Sequence, residues 1–230
     1  MTGNDICALS IIFPCRNEAQ TVGKCIDEAR DYTTEHGIGA EIIVCDNAST
    51  DDSAKVARSH GAAVVFEDRI GYGYTLRKGM EEAAGNVILL ADCDTTYDMS
   101  DIGSFLSKIE EGYDVVIGDR FKGGIAPGAM PLSHKIGVRF LSMLGRLRFH
   151  TDVRDFHCGI RAVRGDAAKR LDLHTGGMEF ATEMIAVSVR QNLKIAQVPA
   201  KLRKCTAIRR SKLRTFRDGM RHLLYMIRAK

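Results

Sequence analysis

The chain has 230 residues, 45% apolar and 27% charged, the balance of a globular protein long enough for one large domain. No apolar run reaches the roughly 18 residues of a membrane span. The opening MTGNDICALS lacks the basic start and apolar core of a secretory signal, so a cytoplasmic protein is expected. The net charge of +4 is uneven: residues 201–230 hold eleven basic side chains against Asp218 alone, which leaves the rest acidic at −6. Such a basic end is expected to meet an anionic surface.

Seven cysteines at 7, 15, 25, 45, 93, 158 and 205 form no CxxC pair, so reduced thiols are expected rather than a disulfide framework or a zinc site. Along the chain, apolar runs alternate with helical periods. Strands are expected at Ala8–Phe13, Glu41–Cys45, Ala63–Phe66, Val87–Ala91, Asp114–Ile117 and Lys194–Val198. Helices are expected at Thr21–Tyr32, Asp51–Ser59, Thr75–Ala84, Ser100–Glu111, Ser133–Arg148 and Met178–Arg190. This alternation predicts an α/β domain with a mostly parallel sheet covered by helices, and ligands beyond the carboxyl ends of its strands. Gly123–Pro131 has neither period and is expected to be a connection or a mobile lid. In Ser133–Arg148, Ile136, Val138, Phe140, Leu141 and Leu144 supply the apolar positions. Ser211–Lys230 is predicted to be a basic amphipathic helix, with Leu213, Phe216, Met220, Leu223, Leu224 and Ile227 on one stripe.

Chemistry-bearing residues fall where the strands end. Asp92-Cys93-Asp94 follows the run Val87–Ala91. Two carboxylates two residues apart share one side of an extended chain and need a cation between them. A divalent metal carrying a phosphate ligand fits, which implies a nucleotide-linked substrate. Cys93 is expected to point into the core. Asp46 closes the second strand, and Asp119-Arg120 follows the fifth. The first strand continues as Pro-Cys-Arg-Asn-Glu, not as the glycine fingerprint of a dinucleotide-binding dehydrogenase. A tail without Trp and with few aromatics argues against nucleic acid.

Six ordered pieces carry a resemblance: Ser10–Glu18 (SIIFPCRNE), Val44–Ser53 (VCDNASTDDS), Ala91–Asp98 (ADCDTTYD), Ile117–Arg120 (IGDR), Asp155–Ala162 (DFHCGIRA) and Ser211–Phe216 (SKLRTF). In that order, over nearly the whole chain, they resemble family 2 inverting glycosyltransferases of the GT-A (Rossmann-like) fold. More narrowly, they resemble the dolichyl- and polyprenyl-phosphate sugar transferases. The resemblance implies one GT-A domain at 1–210, with a nucleotide-sugar half at 1–119, an acceptor half at 120–210, and the basic helix at 211–230. It implies Pro14, Asn17 and Glu18 at the nucleotide, Glu18 on the ribose hydroxyls and Asp46 beside the base. It implies Asp94 as a direct ligand of Mg2+ or Mn2+, and Asp92 on the ribose or on the metal through water. Thr96 stands where the family often has Gln. Arg120 is implied at phosphate, with Arg161, Arg209, Arg210 and Lys212 as further phosphate-binding candidates. Asp155 is implied as the acceptor-side acid, either a base or a group that orients the acceptor. Glu179 and Glu183 are rival acids whose spacing of four reads as a helix-surface pair. His134 and His157 read as structural.

The implied activity is metal-dependent transfer of one hexose from a UDP- or GDP-sugar to a polyprenyl phosphate (dolichyl or undecaprenyl). The protein would lie at the inner face of the membrane and have a possible membrane partner protein. Two other readings stay open at this stage: the same fold acting on a soluble hydroxyl acceptor, and a non-catalytic nucleotide-binding, membrane-docking module.

Overall fold

The computed structural model describes residues 8–206 and 215–229. Seven strands form one sheet: β1 (Leu9–Cys15), β2 (Ala40–Asp46), β3 (Ala63–Phe66), β4 (Val87–Leu90), β5 (Val115–Asp119), β6 (Arg161–Arg164) and β7 (Ile195–Pro199). Their order is β3-β2-β1-β4-β6-β5-β7. All pairings are parallel except the two made by β6, which runs against β4 and β5. The apolar runs that announce β1, β4 and β5 are buried, as expected of strands covered on both faces.

The helices are α1 (Val22–Glu35), α2 (Ser53–Ser59), α3 (Tyr72–Glu82), α4 (Ile102–Glu110), α5 (Arg120–Gly123), α6 (Leu132–Phe149), α7 (Gly165–Ala168), α8 (Phe180–Arg190) and α9 (Thr215–Arg228). Two differ from expectation in ways that matter. α3 starts at Tyr72, three residues early, and brings a tyrosine into its first turn. A 3-10 turn at Met99–Asp101 precedes α4, where Asp98 Oδ1 accepts from Ser100 N–H at 3.0 Å. Among the described residues, no helix is long and apolar enough to cross a membrane.

The short strand β6 is absent from the predicted elements. Its four residues, Arg-Ala-Val-Arg, show no apolar run. It forms because Arg161, although buried, is fully satisfied. Nε donates to Cys158 O at 2.8 Å, Nη1 to Ala181 O at 2.6 Å and Nη2 to Phe156 O at 2.6 Å. With every nitrogen committed to a backbone carbonyl, Arg161 braces the loop before β6 against α8.

The expected surface pair on α8 is buried as well. Glu183 accepts from the N–H groups of His174 and Thr175, each at 2.9 Å, and from the Thr175 hydroxyl at 2.5 Å, stapling the preceding loop. Glu179 accepts from Arg221 of α9 at 2.6 Å. α9 is further held by His222, whose Nδ1 lies 2.8 Å from the Thr182 hydroxyl. It also packs on α6, where Arg148 Nε donates to Met226 O at 3.1 Å.

Two outcomes follow from this packing. Arg161→Leu leaves three carbonyls unsatisfied, each costing about 1–3 kcal/mol. It should lower the melting temperature in calorimetry by about 10 °C. His222 is neutral in the folded chain: burial pushes its pKa down to about 4, Arg161 and Arg221 adding to the effect and Glu179 opposing it. The unfolded chain therefore takes up a proton below about pH 6.5 that the folded chain refuses until about 4. That contribution is full above pH 6.5 and is lost as pH falls through this window. His222→Gln should reduce the drop in urea-unfolding stability between pH 7 and pH 5 by about 2 kcal/mol.

Candidate active site

The carboxyl ends of β1, β2, β4 and β5 lie at one end of the sheet, and the loops leaving β1, β2 and β4 are tightly shaped there. Asn17, Ala48 and Thr95 each adopt a left-handed backbone, with φ of 52°, 53° and 65°. For β-branched Thr95 this is a strained conformation, and such strain collects at functional loops.

β4 ends at Leu90, so the acid pair does not project from the strand itself. The pleat-like alternation nevertheless persists through the loop: Ala91, Cys93 and Thr95 are buried, while Asp92, Asp94 and Thr96 are partly exposed. Cys93 turns inward, its Sγ donating to Pro14 O at 3.0 Å. Asp92 Oδ1 accepts from the Tyr72 hydroxyl at 3.0 Å. Burial, and then the charge of Asp92, push the Tyr72 pKa well up, so the phenol stays a donor. Gly159 makes room on the other side; a Cβ there would sit 2.2 Å from Asp92 Oδ2. Asp94 Oδ1 accepts from Thr96 N–H at 3.1 Å and from the Thr96 hydroxyl. Thr96 thus orients Asp94.

Two cavities share this acid pair. The first, about 400 Å³, runs from Pro14 and Glu18 past Asn47 to Asp92 and Asp94. The second, about 370 Å³, has Arg120 and His157 among its polar lining and Met130, Val138, Leu141 and Leu202 among its apolar lining. Tyr72, Asp92, Asp94, Met178 and Asp218 border both. A larger groove of about 780 Å³ opens beside Gly85, Asn86 and Gly165, at the other end of β4, and holds none of the motif residues.

In the first cavity Glu18 is buried, its N–H donating to Ser53 Oγ at 2.8 Å and its Oε2 accepting from Thr21 Oγ1 at 3.3 Å. Asp46 lies behind the cavity lining; its Oδ1 accepts from Ser49 N–H at 3.0 Å, the turn contact expected after β2. Asp46 Oδ2 is buried with no hydrogen-bond partner in the fold. Asn47 clamps the loop beyond β3, donating to Glu67 O and Arg69 O and accepting from Gly71 N–H. Asn17 does not line the cavity; its Oδ1 accepts from Thr50 N–H at 2.7 Å and locks the two loops together.

In the second cavity Arg120 and Asp155 clasp each other. Arg120 Nε donates to Asp155 Oδ2 at 2.7 Å and Nη2 to Oδ1 at 2.8 Å, and Asp155 is completely buried. Burial works against the guanidinium charge, but Asp155 outweighs it and holds the Arg120 pKa high. His157 lines the same cavity, and both its ring nitrogens are buried without a partner. Burial, then His222, Arg120 and Arg161, push its pKa well down, so the ring is neutral. Sequence reading took His157 as structural and overlooked Tyr72 and His222; no local pattern marks these three. Arg209, Arg210 and Lys212 lie outside the described residues.

Asp92 and Asp94 suit Mg2+ or Mn2+ on chemical grounds. Among the described residues no three His, Cys, Asp or Glu side chains converge into a cage. A hard cation that keeps water and binds substrate phosphate needs only one or two carboxylates.

The model of glycosyl transferase family 2 matches residues 10–172. The low-salt glycan biosynthesis hexosyltransferase of Haloferax volcanii is 32% identical over 221 residues, 95% of this chain and 53% of that protein. Glycosyltransferase AglJ of the same organism is 33% identical over 84% of this chain and 62% of its own length. The chain thus spans between half and two thirds of these two relatives. The dolichyl-phosphate hexose transferase of Haloferax volcanii is 29% identical, with 85% of this chain and 83% of that protein aligned. Among solved structures, glucosyl-3-phosphoglycerate synthase from Mycobacterium tuberculosis in complex with phosphoglyceric acid superposes with a TM-score of 0.76 at 20% identity. That match covers 96% of this chain and 79% of the other, a likeness of fold. Seven strands in this order, the acid pair beyond β4 and the match across most of its length identify the chain as a GT-A glycosyltransferase belonging to glycosyl transferase family 2.

Proposed function

We propose that the chain transfers a hexose from a UDP- or GDP-sugar to a polyprenyl phosphate, dolichyl or undecaprenyl. The observation that carries this reading is the Arg120–Asp155 pair in a largely apolar cavity that shares the Asp92/Asp94 wall with the polar one. A hydroxyl acceptor needs a base. Asp155, the acid at the expected place, is fully buried with both oxygens held by Arg120. A phosphate monoester is largely dianionic near neutral pH, with a second pKa of about 6, and needs no base. It needs a cation and an apolar surround for its chain, which this cavity supplies. A relative named dolichyl-phosphate hexose transferase supports the same acceptor.

In this reading, Asp155 is a positioning residue that holds Arg120 toward the acceptor phosphate, with His157 beside it. Glu18 accepts from the ribose hydroxyls, Pro14 borders the nucleotide, and Asp46 Oδ2 accepts from a ring N–H of the base. Asn17 acts through the loop it locks. Asp92 and Asp94 hold Mg2+ or Mn2+, which neutralises charge on the departing nucleoside diphosphate. Mn2+ and UDP bound to the glucosyl-3-phosphoglycerate synthase support this assignment. The basic C-terminal helix, with Arg209, Arg210 and Lys212 before it, brings the enzyme to an anionic membrane surface on the cytoplasmic side. The divisions at 119 and 210 separate donor, acceptor and membrane-facing parts.

The test is incubation of the protein with Mg2+ or Mn2+, UDP- and GDP-sugars and a short polyprenyl phosphate, with mass spectrometry for the glycosyl lipid phosphate. A lipid product is the expected result; glycosylation of a soluble acceptor in its place would sink the acceptor assignment. Asp94→Ala should lower turnover at least 100-fold while leaving the fold intact by circular dichroism. Full activity in that variant would remove the metal role. Gly159→Ala should displace Asp92 and cut kcat/KM at least tenfold, with a smaller change in melting temperature than Arg161→Leu causes.

A further inference from the structure

Helix α9 reaches the first cavity as well as the second. Arg217 and Arg221 lie four residues apart on it, and both line the cavity that runs from Pro14 and Glu18 to Asp92 and Asp94. Residues at that spacing sit one turn apart on the same helix face. Arg221 is held much as Arg120 is, by a buried carboxylate. Its Nη2 donates to Glu179 Oε1 at 2.6 Å; the Glu179 side chain is 11% exposed and the Arg221 side chain 39%. Gly177 allows this approach, because a Cβ there would lie 2.4 Å from Arg221 Nη2 and 2.7 Å from Glu179 Oε2. Gly177 borders the same cavity, so the guanidinium reaches its wall past a position that carries no side chain.

The charges of the cavity give these arginines a task. One divalent cation balances only Asp92 and Asp94. Glu18 and Asp218 add further negative charge to the wall, and Arg16, in the loop after β1, offsets one of them. A nucleotide sugar brings two more negative charges on its diphosphate, and like charges placed together in a partly desolvated space cost several kcal/mol. Arg217 and Arg221 supply the positive charge still required. A guanidinium also presents a planar fork of donors that matches a pair of phosphate oxygens.

We propose that Arg217 and Arg221 bind the diphosphate of the nucleotide sugar, so that α9 completes the donor site, and that Glu179 is the residue that positions Arg221. The inference rests on the donor reading of the first cavity and deepens it. Asp218 and His222, on the same helix, line the second cavity. One helix therefore borders the places of both substrates, and its basic residues do more than meet an anionic surface.

The test compares ligands with and without the diphosphate, on the full chain in Mg2+. UDP and GDP are titrated by calorimetry, uridine and guanosine by ligand-observed NMR. Arg217→Gln and Arg221→Gln should each weaken the diphosphate that binds by about tenfold, with the matching nucleoside changed by less than about twofold. Arg217 is exposed, so its variant leaves the Arg221–Glu179 pair in place and decides the matter should Arg221→Gln loosen α9 in circular dichroism. Glu179→Gln should weaken the diphosphate on its own and add nothing to Arg221→Gln, as expected of a group that acts through Arg221. A full further loss in that double variant would remove the positioning role. An unchanged diphosphate affinity in either arginine variant would overturn the proposal. So would a nucleoside affinity that falls as far as the diphosphate's, because the arginines would then only hold the fold. If the wild-type chain binds neither diphosphate, the donor reading itself fails and takes the inference with it.

Discussion

A carboxylate with no exposure survives in this fold because a guanidinium meets both its oxygens. The Arg120–Asp155 pair joins the end of β5 to the loop that enters β6, and the architecture of the acceptor cavity hangs on that join. Desolvating either charge alone would cost several kcal/mol, so neither partner can be removed cheaply. The pair need not add much net stability to be decisive; its value is geometric. It fixes one arginine at the carboxyl end of the sheet beside His157, which stays neutral partly because of it.

The antiparallel strand explains how the acceptor loop reaches the site. In a parallel sheet, the loop leaving a strand lies at the ligand-binding end. β6 runs the other way, with Arg161 opposite Leu90 and Ile117, so its incoming loop, residues 155–160, arrives there instead. Gly159 is then set against Asp92, while Tyr97 accepts from Gly159 N–H at 2.7 Å. One reversed strand thus lets Asp92, Asp94 and Arg120 border one space.

Much of this was legible in the sequence, for reasons that also explain the rest. β1, β4 and β5 announce themselves because strands buried on both faces must be apolar throughout. The acid pair is legible because two carboxylates after such a run demand a cation. β6 was hidden because Arg161 is satisfied by backbone carbonyls at Phe156, Cys158 and Ala181, and no side-chain pattern encodes those carbonyls. Glu179 and Glu183 read as a solvated pair for the same reason; Arg221 and the 174–175 loop supply donors to them that the helical spacing does not reveal. Ile136 and Phe140 stand in the sequence only as apolar helix positions, because periodicity locates an apolar face without saying what it faces.

That last ambiguity bears on function. A helix that buried all its apolar residues against the body would present only polar side chains outward. α6 instead divides its apolar residues between two faces: Val138 and Leu141 toward the cavity, Phe140 and Leu147 outward. Ser142 and Gly145, small residues on the body side, let the helix approach Phe156 closely enough for this division. In the proposed reading, a polyprenyl phosphate would bring a charged head to Arg120 and keep its chain out of water.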